Sequence, residues 1–175
     1  AALPVGAPEA GEYLSEICLA ARAWVAEWGH RLAQGALLLI DYGYPQAEYY
    51  LASRDQGTAQ SFHRHHADAD LLAWPGLKDI TAFVDFSAIA EAADAAGLGV
   101  HGYISQANFL TNCGLLDRLA ACGPTDSAAY LRASHAALRL IAPHEMGEPF
   151  KVLALSRGLD APLLGFAHGD RTHAL

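Results

Sequence analysis

His63, His65, His66, Asp68 and Asp70 fall within eight consecutive positions, a dense group of metal-ligating side chains. Imidazole and carboxylate together suit zinc and similar divalent ions. The spacing of HRHHADAD departs from an HxHxDH ligand pattern, because Ala67 stands where the aspartate two residues after His65 belongs. The expectation is therefore no metal site, with one or two of these histidines hydrogen-bonded locally. A second candidate is Asp41, which follows the unbroken apolar run at residues 36–40 and opens an Asp-Tyr-Gly turn. Such a run reads as a strand covered on both faces. Ligands of open α/β sheets gather beyond the carboxyl ends of the strands, so Asp41 is expected where chemistry happens.

Other chemistries lack their residues. No G-x-S-x-G elbow occurs, and Cys18, Cys113 and Cys122 have no evident histidine partner, so nothing points to a nucleophilic hydrolase. Neither G-x-G-x-x-G nor G-x-x-x-x-G-K-[ST] is present. A phosphate cradle is absent, and any nucleotide-like ligand must be held mainly by residues outside this chain. Three cysteines without metal-like spacing fit reduced thiols in a cytoplasmic protein. The net charge of −8 argues against a nonspecific nucleic-acid binder, which needs a basic face. No apolar run reaches membrane-spanning length, and no signal peptide opens the sequence. With 175 residues, 53 % hydrophobic and 17 % charged, the chain is expected to fold as one globular unit.

The elements that must position these residues follow from periodicity. From about Tyr13 to Gln34 the apolar positions Leu14, Ile17, Ala21, Trp24, Trp28 and Leu32 step by three and four, one face of a helix. Trp24 and Trp28 are expected in the core, Glu9, Glu12 and Glu16 near the helix start where the dipole favours acid, and Gly35 at its C-terminal stop. After the strand at 36–40 a loop is expected until about Asp79. Asp85 is a good N-cap for a helix over 86–96, with Gly97 as its stop. Residues 100–105 read as a second strand, followed by a short helix that falters at Gly114. Thr125 or Asp126 is expected to cap a helix ended by Pro143, and residues 150–156 to form a third strand. The tail from Arg157 on, rich in Gly, Pro, His and Asp, is expected to be irregular. Alternation of helix and strand means an α/β fold. Three strands make a small sheet, and the first is too apolar for an exposed edge. Further strands are therefore expected from outside these residues, and the absence of an initiator Met agrees with a truncated or processed chain.

GALLLIDYGY, then EYY, R..GT, H..H, PG..DITA.VDF, Q..FL...G and MGE.FKVL occur in this order. Together they resemble the C-terminal half of the MidA family of S-adenosylmethionine-dependent methyltransferases. Its mitochondrial relatives are complex I assembly factors that methylate an arginine of a complex I subunit. The resemblance runs from about Gly35 to Arg157. It implies the C-terminal half of a class I, Rossmann-like sheet, in which the last strand lies antiparallel between the fifth and sixth. Residues 36–40, 100–105 and 150–156 would be strands five, six and seven. The glycine-rich loop and the acidic ribose-binding residue of the family belong to the N-terminal half, so this chain would carry the substrate-facing part. Three positions depart from the family: Ala59 replaces Leu after Gly57-Thr58, Phe83 replaces His in DITAHVDF, and Pro149 interrupts MGELFKV. Phe83 removes a titratable group from that position.

Under the resemblance, methyl transfer to arginine needs a carboxylate to hold the guanidinium, and alignment more than a strong base. Asp41 and Asp79 are the expected catalytic carboxylates. Tyr42, Gly43, Tyr50, Arg54, Gly57, Thr58, His65, Thr81, Asp85 and Gln106 are the expected substrate contacts, with Asp85 read first as a helix cap. The implied cofactor is S-adenosylmethionine. The implied partners are a protein substrate, with a complex I subunit as the candidate, and either the missing half or a second copy in a homodimer. The rival reading is a non-catalytic binding or assembly module that retains only the substrate-facing half. A glycine-rich loop and an acid upstream of Ala1 would decide between them.

Overall fold

The first strand is ten residues long, because the chain stays extended through Asp41-Tyr42-Gly43 and turns only at Pro45. The computed structural model describes residues 12–64, 66–68 and 70–175. Helix α1 (Leu19–Arg31) precedes strand β1 (Gly35–Tyr44), and α2 (Gln46–Tyr49) follows it. Strands β2 (Gln60–His63), β3 (His66–Asp68), β4 (Asp79–Thr81) and β5 (Val84–Asp85) come next. Then follow α3 (Phe86–Ala95), β6 (Gly99–Ser105), α4 (Gln106–Asn112), α5 (Leu115–Ala120), α6 (Ala128–Ile141) and β7 (Phe150–Arg157).

The main sheet has the order β5-β1-β7-β6. β7 runs antiparallel to both neighbours, in register from Gly35↔Arg157 to Tyr42↔Phe150 on β1, and from Gly99↔Ser156 to Ser105↔Lys151 on β6 with a register shift between Val100 and Gly102. β5 pairs parallel with the end of β1, Gly43 opposite Val84. Gly43 is needed there, since a Cβ would collide with the Val84 carbonyl and stand 2.8 Å from its nitrogen. One face of the sheet carries Leu37, Leu39, Leu153, Leu155 and Tyr103. They pack against Val25 of α1 and Phe86, Ile89 and Ala93 of α3. The other face is covered over β6 and β7, where Phe166 lies on Gly102 and stacks edge-on with Phe109 of α4, centroids 5.5 Å apart.

Several expectations change. Helices α1 and α3 share one face of the sheet instead of covering one each. The alternation of β1 therefore leaves Leu38 47 % and Ile40 50 % exposed. α1 begins at Leu19, so Leu14, Ile17 and Glu16 precede it. Its buried positions are Val25 and Gly29, the latter so close to α3 that a Cβ would lie 2.5 Å from that of Ala96. Trp24 and Trp28 stack on each other and stay 49 % and 37 % exposed, because the described residues place nothing over that flank. Gly35 starts β1 and does not cap α1, whose last turn ends at Leu32. Ser127, not Thr125 or Asp126, caps α6, accepting from the Tyr130 amide at 3.1 Å. The segment expected as a loop up to Asp79 carries a second antiparallel sheet, β3-β2-β4, whose strands of three and four residues are too short to show periodicity.

Other signals match the structure. The Asp85 side chain accepts from the Ala88 amide at 3.1 Å and starts α3. Gly97, at φ +77°, closes it: its amide donates to the Asp94 carbonyl, and the Leu98 amide donates to that of Ala93. Arg157, at the end of β7, donates to Leu32, Ala96 and Gly97 carbonyls at 3.1, 2.7 and 3.1 Å, capping α1 and α3 together. The tail contains two short 3-10 turns and lies along the outer edge of β6. There Asp170 accepts the Tyr103 amide at 2.8 Å, and the Arg171 amide donates to the Tyr103 carbonyl at 2.6 Å. Among the described residues no helix is long and apolar enough to cross a membrane.

Candidate active site

The segment before α1 with the first turn of that helix, the end of α2, residues 82–85 through β5 and the first turn of α3 line a cavity of about 220 Å³. Tyr49, Tyr50, Phe83, Val84, Ala21 and Ile89 give it apolar walls, and Glu16, Arg22 and Asp85 supply its charges. α2 holds Tyr49 and Tyr50 in place because Ser87 of α3 accepts the Gln46 amide at 2.8 Å. Burial, the largest cause, pushes the Tyr49 hydroxyl up to about 12 and raises Tyr50 as well.

A carboxylate missed as a site residue, Glu16, lines the cavity and ties it to the turn at Gly57. Glu16 accepts the Thr58 amide at 3.0 Å, the Ala59 amide at 2.9 Å and the Thr58 hydroxyl at 3.1 Å, with the Tyr49 hydroxyl at 3.4 Å. Thr58 Oγ1 in turn accepts the Phe83 amide at 3.0 Å. Gly57, at φ +76°, turns two successive amides toward one acceptor, and only glycine adopts this at no cost. The nearest sequence signal was Gly57-Thr58, within the ordered motifs. Nothing local showed that Glu16 is its partner.

The expected site residues separate into groups. Tyr50 and Asp85 line the cavity, and Gly57 and Thr58 lie beside it, Thr58 bound to the lining residue Glu16. Asp85 has its carboxyl raised, by burial first, while the Ala88 amide and Arg22 pull it down. Asp41 is not at the strand end. It sits within β1, is exposed, and its Oδ1 accepts its neighbour's amide at 2.8 Å. Asp79 is exposed at the start of β4 and does not line the cavity. Tyr42 hydrogen-bonds Thr81, and its ring meets Phe83 and Phe150, each at 5.3 Å. Gly43 serves the β1–β5 contact. The Arg54 guanidinium lies 3.9 Å over the Tyr44 ring, with Nη1 buried and unpartnered among the described residues. Gln106 is not at the cavity; it donates to the Leu140 carbonyl at 2.9 Å and ties α4 to the end of α6. His65 lies outside the described residues. His63 Nδ1 is 2.9 Å from the Leu77 carbonyl, and among the described residues no three His, Cys, Asp or Glu side chains converge on a common point.

A family model of S-adenosyl-L-methionine-dependent methyltransferases matches residues 2–104. The chain belongs to this family. A crystal structure of a Burkholderia thailandensis protein bound to S-adenosyl-homocysteine superposes with a TM-score of 0.91 at 49 % identity, covering 95 % of this chain and 43 % of that one. A native crystal structure from the same organism gives 0.90 at 50 % identity, covering 93 % and 44 %. Among curated proteins, the mitochondrial protein arginine methyltransferase NDUFAF7 of Danio rerio is 32 % identical over 143 residues, 80 % of this chain and 32 % of its own length. Its Rattus norvegicus counterpart is 32 % identical over 146 residues. The chain thus spans about a third of the length of these curated relatives. The 220 Å³ cavity does not fit a whole S-adenosylmethionine, since sites for drug-sized ligands run from about 300 to 1,000 Å³. The sequence also lacks a glycine-rich cradle.

Proposed function

We propose that the protein is an S-adenosylmethionine-dependent methyltransferase acting on a protein arginine. Residues 35–157 then form the substrate-facing, C-terminal half of its class I sheet, with β1, β6 and β7 as strands five, six and seven. The observation that carries this is a side-chain-sized cavity holding the Asp85 carboxylate, where β5 meets α3, in a chain of this family. The cofactor, when bound, supplies a methyl group on a sulfonium sulfur. The residues described here hold and orient the acceptor. The names of the curated relatives support arginine as the acceptor, and the resemblance drawn from the sequence makes a complex I subunit the candidate substrate. The backbone of β1 opposite β7 is unpaired from Gly35 to Tyr42 among the described residues. A strand from the remainder of the full-length protein, or from a second copy, completes the sheet there. The three exposed free cysteines support a cytoplasmic, reducing location.

The test is mass spectrometry of complex I subunits and arginine-containing peptides incubated with full-length protein and isotopically labelled S-adenosylmethionine. Labelled methylarginine is the expected product. A full-length protein that binds the cofactor and labels no protein side chain would instead be the non-catalytic assembly module.

A further inference from the structure

Resting on the arginine reading of this site, we propose that the cavity between α1, α2 and α3 receives the side chain of the substrate arginine, with Asp85 as the carboxylate that binds its guanidinium. At about 220 Å³ the space suits one side chain. Its lining charges are Glu16, Asp85 and Arg22, so two carboxylates face one guanidinium and the balance attracts a cation.

The two acids are not equivalent. Glu16 is occupied by the amides of Thr58 and Ala59 and the hydroxyls of Thr58 and Tyr49. A carboxylate offers about four acceptor positions, and those of Glu16 are filled. Asp85 spends one bond on the Ala88 amide and interacts with Tyr50. Arg22 reaches it only through its field, and no hydrogen bond joins the two among the described residues. Asp85 is therefore a desolvated acid with spare acceptor capacity and no bonded counter-charge. Its raised protonation is the expected mark of that lack. A planar guanidinium satisfies it bidentately, which a lysine ammonium cannot do. The rings of Tyr49, Tyr50 and Phe83 offer faces for the stem and the cation. Phe83 adds an apolar wall and no competing cation.

Cys18 lines the cavity and is exposed, whereas Cys113 and Cys122 are exposed away from its lining. Alkylation of the three cysteines in the full-length protein, read by site-resolved mass spectrometry, therefore reports occupancy with two internal controls. A peptide with a single arginine should slow alkylation of Cys18 about fivefold or more and leave Cys113 and Cys122 unchanged. The same peptide with citrulline should not protect. Asp85→Asn, which keeps the helix cap, should abolish protection and lower kcat/KM for arginine methylation about 100-fold, mainly through KM. Asp85→Glu, which keeps the charge, should recover part of both. If the wild-type enzyme methylates arginine and Asp85→Asn does so within about threefold with Cys18 still protected, the site assignment is wrong while the arginine reading stands. If the wild-type enzyme methylates another residue type and not arginine, the arginine reading falls, and this assignment with it.

Discussion

Glu16 shows how one carboxylate can hold several segments at once. It joins the stretch before α1 to the Gly57-Thr58 turn, and through Thr58 to the backbone of Phe83. Removing it leaves part-buried donors without an acceptor, at about 1–3 kcal/mol. Glu16→Ala should therefore lower stability by about that amount in urea denaturation. A loss under about 0.5 kcal/mol, normal for a surface acid, would mean the network is dispensable. Asp85 makes a pH prediction. Burial holds its folded carboxyl above the ordinary 3.8, so ionisation is harder in the folded state than in the unfolded one. Its contribution to stability is fully present below pH 3.8 and is lost as pH rises through the higher folded value. Asp85→Asn does not titrate, so its stability relative to wild type should increase as pH climbs above 3.8 and then level off. Urea midpoints for both proteins from about pH 3.5 to about pH 7 measure it. A difference independent of pH would contradict the burial of this group.

At the scale of elements, Arg157 links three of them. It closes the C-terminal ends of α1 and α3 from the end of β7, with one guanidinium spread over three carbonyls. Each end carries unpaired carbonyls and the negative pole of a helix dipole. Arg157→Ala should cost about 2–3 kcal/mol, since hydrogen bonds to a charged group contribute about 1.5–3. Arg157→Lys should recover less than half, because an ammonium cannot cover the planar fork. Thermal unfolding of both variants decides it, and equal Tm values would show that geometry is irrelevant there.

For the whole molecule the informative feature is the unfinished side of β1. Leu38 and Ile40 lie exposed beside an unpaired backbone edge, with Trp24 and Trp28 on the flanking helix. Such edges pair with whatever strand is offered. The isolated chain should self-associate, and a Leu38→Lys, Ile40→Lys double variant should be monomeric by size-exclusion chromatography with light scattering. If the wild-type chain stays monomeric at high concentration, the edge is protected in some other way. The same isolated chain should bind S-adenosylmethionine more weakly than about 1 mM, about −4 kcal/mol. A micromolar titration would place the cofactor cradle within these residues.

The sequence by itself determined what a few neighbouring residues can dictate. Asp85 and Gly97 bound α3 because a cap and a stop act over one turn, and residues 99–105 and 150–157 are extended because β-branched and aromatic runs favour it. The ordered motifs carried the family for the same reason: they are local strings. Only the tertiary structure decided that α1 and α3 share a face, leaving Leu38 and Ile40 open, and that Asp85 lines the cavity while Asp41 lies on a strand. It alone matched Glu16 to Thr58, 42 positions away, and Arg157 to Leu32, 125 away. Such pairs depend on how distant segments close on one another. Neither member carries a local signal of its partner, so no periodicity or spacing could have disclosed them.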